Sequence, residues 1–316
     1  MVEGTIYDIS IGWKDALIRE AKALIVKHHI VNVMASGAPW KMLYDVAELK
    51  ILFPHLNIII DYRDPWLNAL NYGMPGLNQH RRNIEEQKQT FILEHASVIV
   101  TPYAYLTEEL RIWNKMHCKN RPEFAVLTHF FDAADLTNST DIAKEKITIV
   151  FGGDLYQGME KELQLLKKEL LELHKKHRPL YDKLSVKIFT NTLGVRTFED
   201  IEAVKISPSI GKEIFREVSS ASCVLIFLSE NKRHDRTTKF FENLPARKPY
   251  LIISEEGEVT SFVRENKLGY ILNSNYGSLA EFLQLLEEDK LEFNNHFNYE
   301  QYELKEVVTK LISMFK

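Results

Sequence analysis

The sequence predicts an α/β fold in which parallel strands alternate with helices, and three observations predict it. Residues 222–255, SCVLIFLSENKRHDRTTKFFENLPARKPYLIISE, run as strand, loop, helix, strand. Within them Val224-Leu225-Ile226-Phe227-Leu228 is an unbroken apolar run, as a strand covered on both faces requires. Further runs of this kind recur along the chain, spaced widely enough for a helix between them, which is the pattern of βαβ units. Finally, glycine-bearing or polar clusters follow several of these runs, where open α/β sheets carry their ligands.

Taken in order, residues 11–27 place Ile11, Ala16, Leu17, Ala21, Leu24 and Ile25 at helical spacing. A strand is expected at His29–Met34, ending in the turn Ala35-Ser36-Gly37-Ala38-Pro39. Small residues there let a ligand or another backbone come close, or simply make a tight turn. A helix over 40–50 follows, then a strand at Asn57–Ile60 ending in Asp61-Tyr62-Arg63-Asp64-Pro65-Trp66. Asp61 and Arg63 either face a site or pair with each other. Residues 67–80, with Gly73, Pro75 and Gly76, read as a loop able to close on an acceptor. A helix is expected from about Arg81 to His95, a strand at 97–102 and a helix at Thr107–Met116. In that last helix Arg111, Lys115, Lys119 and Arg121 interleave with Ile112, Trp113 and Met116. Such a face could touch an anionic membrane surface, or be an ordinary amphipathic helix.

Phe124–Thr128 is a further strand, and the polar residues 133–145 are the best linker. Ile147-Thr148-Ile149-Val150-Phe151 then runs into Gly152-Gly153. Gly152, Gly153 and Gly158 lack dinucleotide-motif spacing, which argues against an NAD enzyme. A helix from Met159 precedes the strand Ser185–Phe189, which ends in Thr190-Asn191-Thr192. A short strand at Val204–Ser207 and a helix over 211–221 lead to the central unit. There Thr237 and Thr238 are expected to cap a helix with their hydroxyls, in a loop that also holds Arg236. Backbone N–H groups at such a helix start suit a phosphate. Glu242, about one turn in, either accepts two ribose hydroxyls or lies on a wet helix face.

Length and composition set the frame. A chain of 316 residues suggests two domains, and 45% hydrophobic with 27% charged residues marks a soluble globular protein. A net charge of -4 argues against nucleic acid as the main partner. Cys118 and Cys223 give no disulfide framework, so the chain reads as cytoplasmic. No apolar run approaches a membrane span and no signal peptide opens the chain. Asn138-Ser139-Thr140 matches a glycosylation acceptor only by chance in that setting. His174 and His177 stand three apart with no carboxylate beside them, so no metal is expected.

Several of these strings together resemble the nucleotide-sugar site of GT-B glycosyltransferases. Thr238-Lys239-Phe240-Phe241-Glu242, Arg247-Lys248-Pro249-Tyr250-Leu251, Gly257 and Gly269 resemble the T-K-x-x-E-x-x-x-x-x-K-P region of the retaining family-four class. That class often carries a second glutamate where this chain has His234. Asp61-Tyr62-Arg63-Asp64-Pro65-Trp66, the Ser36-Gly37-Ala38-Pro39 turn and Phe131-Asp132 resemble the class as well. The resemblance implies two Rossmann-like domains facing a cleft: 1–138 on the acceptor side, and 139–296 binding the nucleotide sugar. Residues 297–316 would form a last helix crossing back. The first domain looks shortened, with about four strands.

The donor would be UDP- or GDP-linked, held by Gly152, Gly153, Lys161, Thr190, Asn191, Arg236, Thr237, Thr238, Lys239 and Glu242. An arginine that usually joins Lys161 is not evident. Ser36, Gly37 and Arg63 would face the acceptor, a glycan or lipid-linked molecule in surface polysaccharide or glycoconjugate synthesis. Asp64 or Asp61 would orient or deprotonate its hydroxyl. No cofactor is implied beyond the donor. Peripheral association with the inner membrane face, and a protein partner completing the first domain, are further expectations. The alternative is a non-catalytic nucleotide-sugar-binding or partner-completed subunit.

Overall fold

The computed structural model describes residues 8–67, 76–135, 146–155, 158–192 and 196–316. The chain divides into two units, Met1–Thr128 with Val307–Lys316, and His129–Glu306. The expected acceptor loop falls mostly on residues 68–75, and the Asn138 sequon and most of the linker on 136–145, outside the described residues, while the linker's first residues, Ala133–Asp135, form a 3-10 turn.

The first unit opens with α1 (Lys14–His28), β1 (Asn32–Gly37), α2 (Trp40–Ala47) and α3 (Leu49–Leu52). It continues through β2 (Asn57–Tyr62), α4 (Gln79–His95), β3 (Val98–Thr101), α5 (Ala104–His117) and β4 (Glu123–Val126). Its four strands form one parallel sheet in chain order, β1-β2-β3-β4. All six residues of β2 are buried, because the strand is central and covered on both faces. Ile58, Ile60 and Tyr62 enter the core that holds Trp40 and Leu43, while Ile59 packs with Val98 and Val100 on the other face. Each fully buried side chain of this size contributes roughly 1.5–3 kcal/mol.

Two boundaries differ from expectation. His29 takes a left-handed conformation at φ 52° and ends α1, so β1 starts at Asn32. β1 then runs on through Ser36 and Gly37, which pair with Asp61 and Tyr62 instead of making a turn. After β2, the Trp66 ring stacks on Trp40 with centroids 5.8 Å apart, and its indole N–H donates to Glu85 at 3.2 Å. This fixes the chain immediately beyond Asp64.

The C-terminal residues complete this unit. The Asn57 amide donates to the carbonyl of Met314 at 3.0 Å, and Asn32 exchanges two hydrogen bonds with the backbone of Lys316, each 2.9 Å. Met314 packs on Ile59, Val98 and Val100. In α5 the buried residues are Leu106, Thr107, Leu110 and Asn114. Arg121 donates to the carbonyls of Asn114 and Cys118, closing the helix end while remaining exposed.

The second unit opens with β5 (Ile147–Gly152), α6 (Glu160–Lys176), α7 (Arg178–Lys183), β6 (Leu184–Phe189) and β7 (Val204–Ser207). Then come α8 (Ile214–Ser219), β8 (Cys223–Phe227), α9 (Thr238–Asn243), β9 (Tyr250–Ile253), α10 (Glu258–Glu265), β10 (Gly269–Leu272) and α11 (Leu279–Glu287). α12 (Leu304–Ile312) follows in sequence, its residues from Val307 onward belonging to the first unit. The six strands are all parallel, in the order β10-β9-β8-β5-β6-β7. Strand β8 feeds both layers: Cys223, Leu225 and Phe227 face one core, and Val224, Ile226 and Leu228 the other. Cys223 is a fully buried free thiol whose pKa burial pushes up.

Order reverses around β5 and β8, which neighbour each other although β6 and β7 lie between them in sequence. Open sheets of this kind bind ligands beyond the carboxyl ends of the strands at such a reversal. The residues leaving β5 and β8 are the Gly152-Gly153 turn and the loop that enters α9.

Candidate nucleotide-binding site

The α9 helix is anchored by its aromatic residues. Phe240 and Phe241 are fully buried, the Phe240 ring stacks on Tyr250 at 4.9 Å, and the Tyr250 hydroxyl donates to the Phe240 carbonyl at 2.7 Å. With these two pinned inward, Lys239 and Glu242, three apart, share the opposite side of the helix.

Lys239 lies on the glycine turn. A Cβ built on Gly153 would sit 1.8 Å from Lys239 Cε and 2.9 Å from its Nζ. Gly153 also has φ +153°, a conformation that favours glycine. Its N–H donates to the Phe189 carbonyl at 2.9 Å, tying the turn to the end of β6. A Cβ on Gly152 would meet Ile214 Cγ1 at 2.6 Å. Gly152 is thus set by the Ile214 side chain against it, and Gly153 by its backbone conformation, with the Lys239 chain lying over it.

Glu242 is half-buried, and among the described residues no hydrogen bond holds its carboxylate. Burial pushes its pKa up, the Lys239 ammonium pulls it back, and the Asp135 carboxylate raises it again. Asp135 in turn is paired with Lys212, whose pKa that contact raises. Lys212 belongs to the short 3-10 turn Gly211–Glu213, directly before Ile214. Thus Ile214 packs on Gly152, Lys239 lies on Gly153 and Lys212 pairs with Asp135, while Glu242 feels the charges of both Lys239 and Asp135.

Sequence reasoning misses Asp135, Lys212 and Ile214. The only signals there are nearness to Phe131-Asp132 and an unremarkable helix start. Phe131 is buried and pairs with the chain at Glu303, its N–H donating to the Tyr302 carbonyl at 3.1 Å. Asp132 accepts from the Ala134 N–H at 2.9 Å.

Other expected donor residues have different partners. Thr237 is the N-cap of α9, yet neither it nor Thr238 makes the expected side-chain cap bond. The helix has only six residues, so its dipole is short and the positive charge at the turn is Lys239's own. Arg236 is half-buried, its Nε 3.0 Å from Glu258 Oε1 and its guanidinium 4.3 Å from the centre of the Phe262 ring. It braces α10 rather than the glycine turn. Lys161 pairs with Glu255 at 2.7 Å, which also accepts from Ser274. Thr190 is buried, its N–H donating to the Ser207 carbonyl at 2.9 Å and its hydroxyl accepting from the Thr192 N–H at 3.1 Å. Asn191 accepts from the Ser209 N–H at 3.3 Å. Both act as loop ties. His234, standing where the resembling class has a glutamate, is pushed towards the neutral form by burial and by Arg233.

In the first unit, Ser36 donates to Asp61 Oδ2 at 2.7 Å, an in-register contact between β1 and β2. Asp61 is buried, which pushes its pKa up against the opposing pull of Ser36 and Arg63. Arg63 donates its N–H to the Gly37 carbonyl at 2.9 Å. A Cβ on Gly37 would strike the Pro39 carbonyl at 2.8 Å. Asp64 is half-buried beside the fixed Trp66. Among the described residues no cluster of His, Cys, Asp and Glu could hold a metal ion.

No protein-family model and no curated protein matches the sequence. Solved structures match by shape. Sucrose-phosphate synthase from Thermosynechococcus elongatus superposes with TM-score 0.68 at 11% identity, over 98% of this chain and 79% of that one. The α,α-trehalose-phosphate synthase (UDP-forming) of Burkholderia vietnamiensis gives 0.66 at 9% identity, over 95% and 74%. The Anabaena HepE protein, solved with UDP and glucose, gives 0.62 at 11% identity, over 96% and 82%. At these identities the likeness is one of fold. That fold is GT-B, as the sequence resemblance implied.

Proposed function

We propose that this chain is a glycosyltransferase that binds a nucleotide-diphosphate sugar at the carboxyl ends of β5 and β8. The observation that carries the reading is Lys239 laid across Gly153, with the unbonded carboxylate of Glu242 on the same side of α9. A diphosphate needs close backbone approach and a cation, and Gly152-Gly153 with Lys239 offers both. A ribose offers two hydroxyl donors, and Glu242 is an acceptor with none. The UDP named for the Anabaena and Burkholderia proteins supports uridine over guanosine.

In this reading Lys239 and the turn stabilise negative charge on the departing diphosphate, and stabilisation of that kind commonly does more for the rate than any other single effect. Transfer with retention is the outcome proposed. Asp61 or Asp64 would orient or deprotonate the acceptor hydroxyl, with Ser36, Gly37 and Arg63 beside them. Asp61 is already held by Ser36, so Asp64 is the freer of the two. The acceptor proposed is a glycan or lipid-linked molecule of surface polysaccharide synthesis, met at the cytoplasmic membrane face. An exposed stripe of Tyr105, Ile112 and Met116 on α5, beside Lys115 and Lys119, supports peripheral contact. Among the described residues no helix is long and apolar enough to cross a membrane.

A second reading, a binding subunit completed by a partner, is favoured by one observation. β1 is the terminal strand of its sheet and pairs only with β2 among the described residues. Calorimetric titration with UDP and GDP decides the donor question. The expected result is micromolar binding of one nucleotide, lost by at least about tenfold in Glu242→Ala with Tm unchanged. Equal affinity in the variant would remove Glu242 from the site.

A further inference from the structure

Besides Lys239, the sequence offers two cations for the donor diphosphate, and each has a carboxylate partner on another element. Arg236 is taken by Glu258 and Phe262, and Lys161 by Glu255. Of these three, Lys239 is the one that lies on the glycine turn, a single cation for two phosphates. Lys212 carries no sequence signal of this kind. Its turn is held against the site because Ile214, two residues on, packs directly on Gly152. Its ammonium is tethered by Asp135, the same carboxylate whose charge is felt by Glu242.

We propose that Lys212 is the second diphosphate-binding cation of this site, held ready by Asp135 until a donor arrives. This rests on the nucleotide-sugar reading above and adds a residue to it. The Lys212 side chain is 79% exposed and long, while Asp135 is 21% exposed and short, so the lysine is the partner free to swing. A diphosphate offers it more negative charge than one carboxylate, and more acceptor oxygens. Asp135 therefore competes with the ligand twice: it occupies Lys212, and its own charge repels the phosphates.

The test is calorimetric titration of UDP or GDP, whichever the wild type binds more tightly, with the corresponding nucleoside as control. Lys212→Ala should weaken nucleotide binding about tenfold, as loss of one charge-assisted contact does, and leave nucleoside binding unchanged. Lys212→Arg should restore most of it. Asp135→Asn should tighten nucleotide binding several-fold, and that gain should vanish when combined with Lys212→Ala. Thermal melts check that each variant folds. If Glu242→Ala loses binding while Lys212→Ala and Asp135→Asn do not change it, Lys212 is not a ligand and only this proposal falls. If the wild type binds neither nucleotide, or Glu242→Ala is unaltered, the donor-site reading falls and takes this proposal with it.

Discussion

Arg236 and Glu258 form a half-buried ion pair, Nε to Oε1 at 3.0 Å, capped by the ring of Phe262 at 4.3 Å. The pair joins the loop after β8 to the first turn of α10. Arg236→Ala should therefore cost about 1–3 kcal/mol of stability, through the lost ion pair, which leaves the Glu258 charge without its cation, and the lost stacking on Phe262. It should leave nucleotide affinity within about twofold. A denaturation curve beside a UDP titration checks both halves, and a large loss of affinity at unchanged stability would return Arg236 to the donor site.

Two glycines should respond differently to alanine. At Gly153 the new Cβ meets the far end of the Lys239 side chain, which can move away. Gly153→Ala should cost only about 1 kcal/mol for its backbone conformation, yet displace Lys239 and weaken nucleotide binding markedly. At Gly257 the Cβ would sit 2.3 Å from the Arg233 carbonyl oxygen, which is backbone. Gly257→Ala should lower Tm more than Gly153→Ala does. The comparison is made by melting both variants and titrating both with UDP; the reverse order of Tm losses would contradict it.

Asp61 carries a pH signature. Burial raises its folded pKa above that of an unfolded aspartate, so its ionised form is disfavoured in the fold. The resulting penalty is present above the raised pKa and fades as pH falls through it towards the ordinary value. Asp61→Asn should thus raise Tm near pH 7, with the gain shrinking to nothing by about pH 3. Ser36→Ala, which removes the bond favouring the charged form, should cost about 1–2 kcal/mol near pH 7 and less in acid. Melting curves across this range would refute the account if the Asn variant gained equally at both ends.

Much of this architecture is legible in the sequence because buried parallel strands advertise themselves. Ile58-Ile59-Ile60 and Val224-Leu225-Ile226-Phe227 have no polar residue to spare, since both faces are covered. The Gly152-Gly153 turn and the Lys239–Glu242 spacing are local and can be read, the latter through a resemblance. Pairing between distant segments cannot. Lys212 and Asp135 lie 77 residues apart, and only the path of the chain brings them together. Arg236 looks like a phosphate ligand because its charge is visible in sequence, while the carboxylate that claims it is not distinguished from any other. Thr237 and Thr238 satisfy every compositional rule for a cap and still leave the bond unmade.

The way Asn32 and Asn57 grip the backbone of Lys316 and Met314 has a consequence for biogenesis. One face of the first sheet is covered by Met34 and Leu127 from its own segment and by Met314 from residues 307–316. During translation the four strands of that sheet are all synthesised before residue 130, yet the contacts of residues 307–316 cannot form until nearly two hundred further residues have left the ribosome. The first unit must wait, with Ile59, Val98 and Val100 lacking the Met314 cover, while the second folds. Its dependence on chaperones during synthesis should accordingly exceed that of the unit made after it.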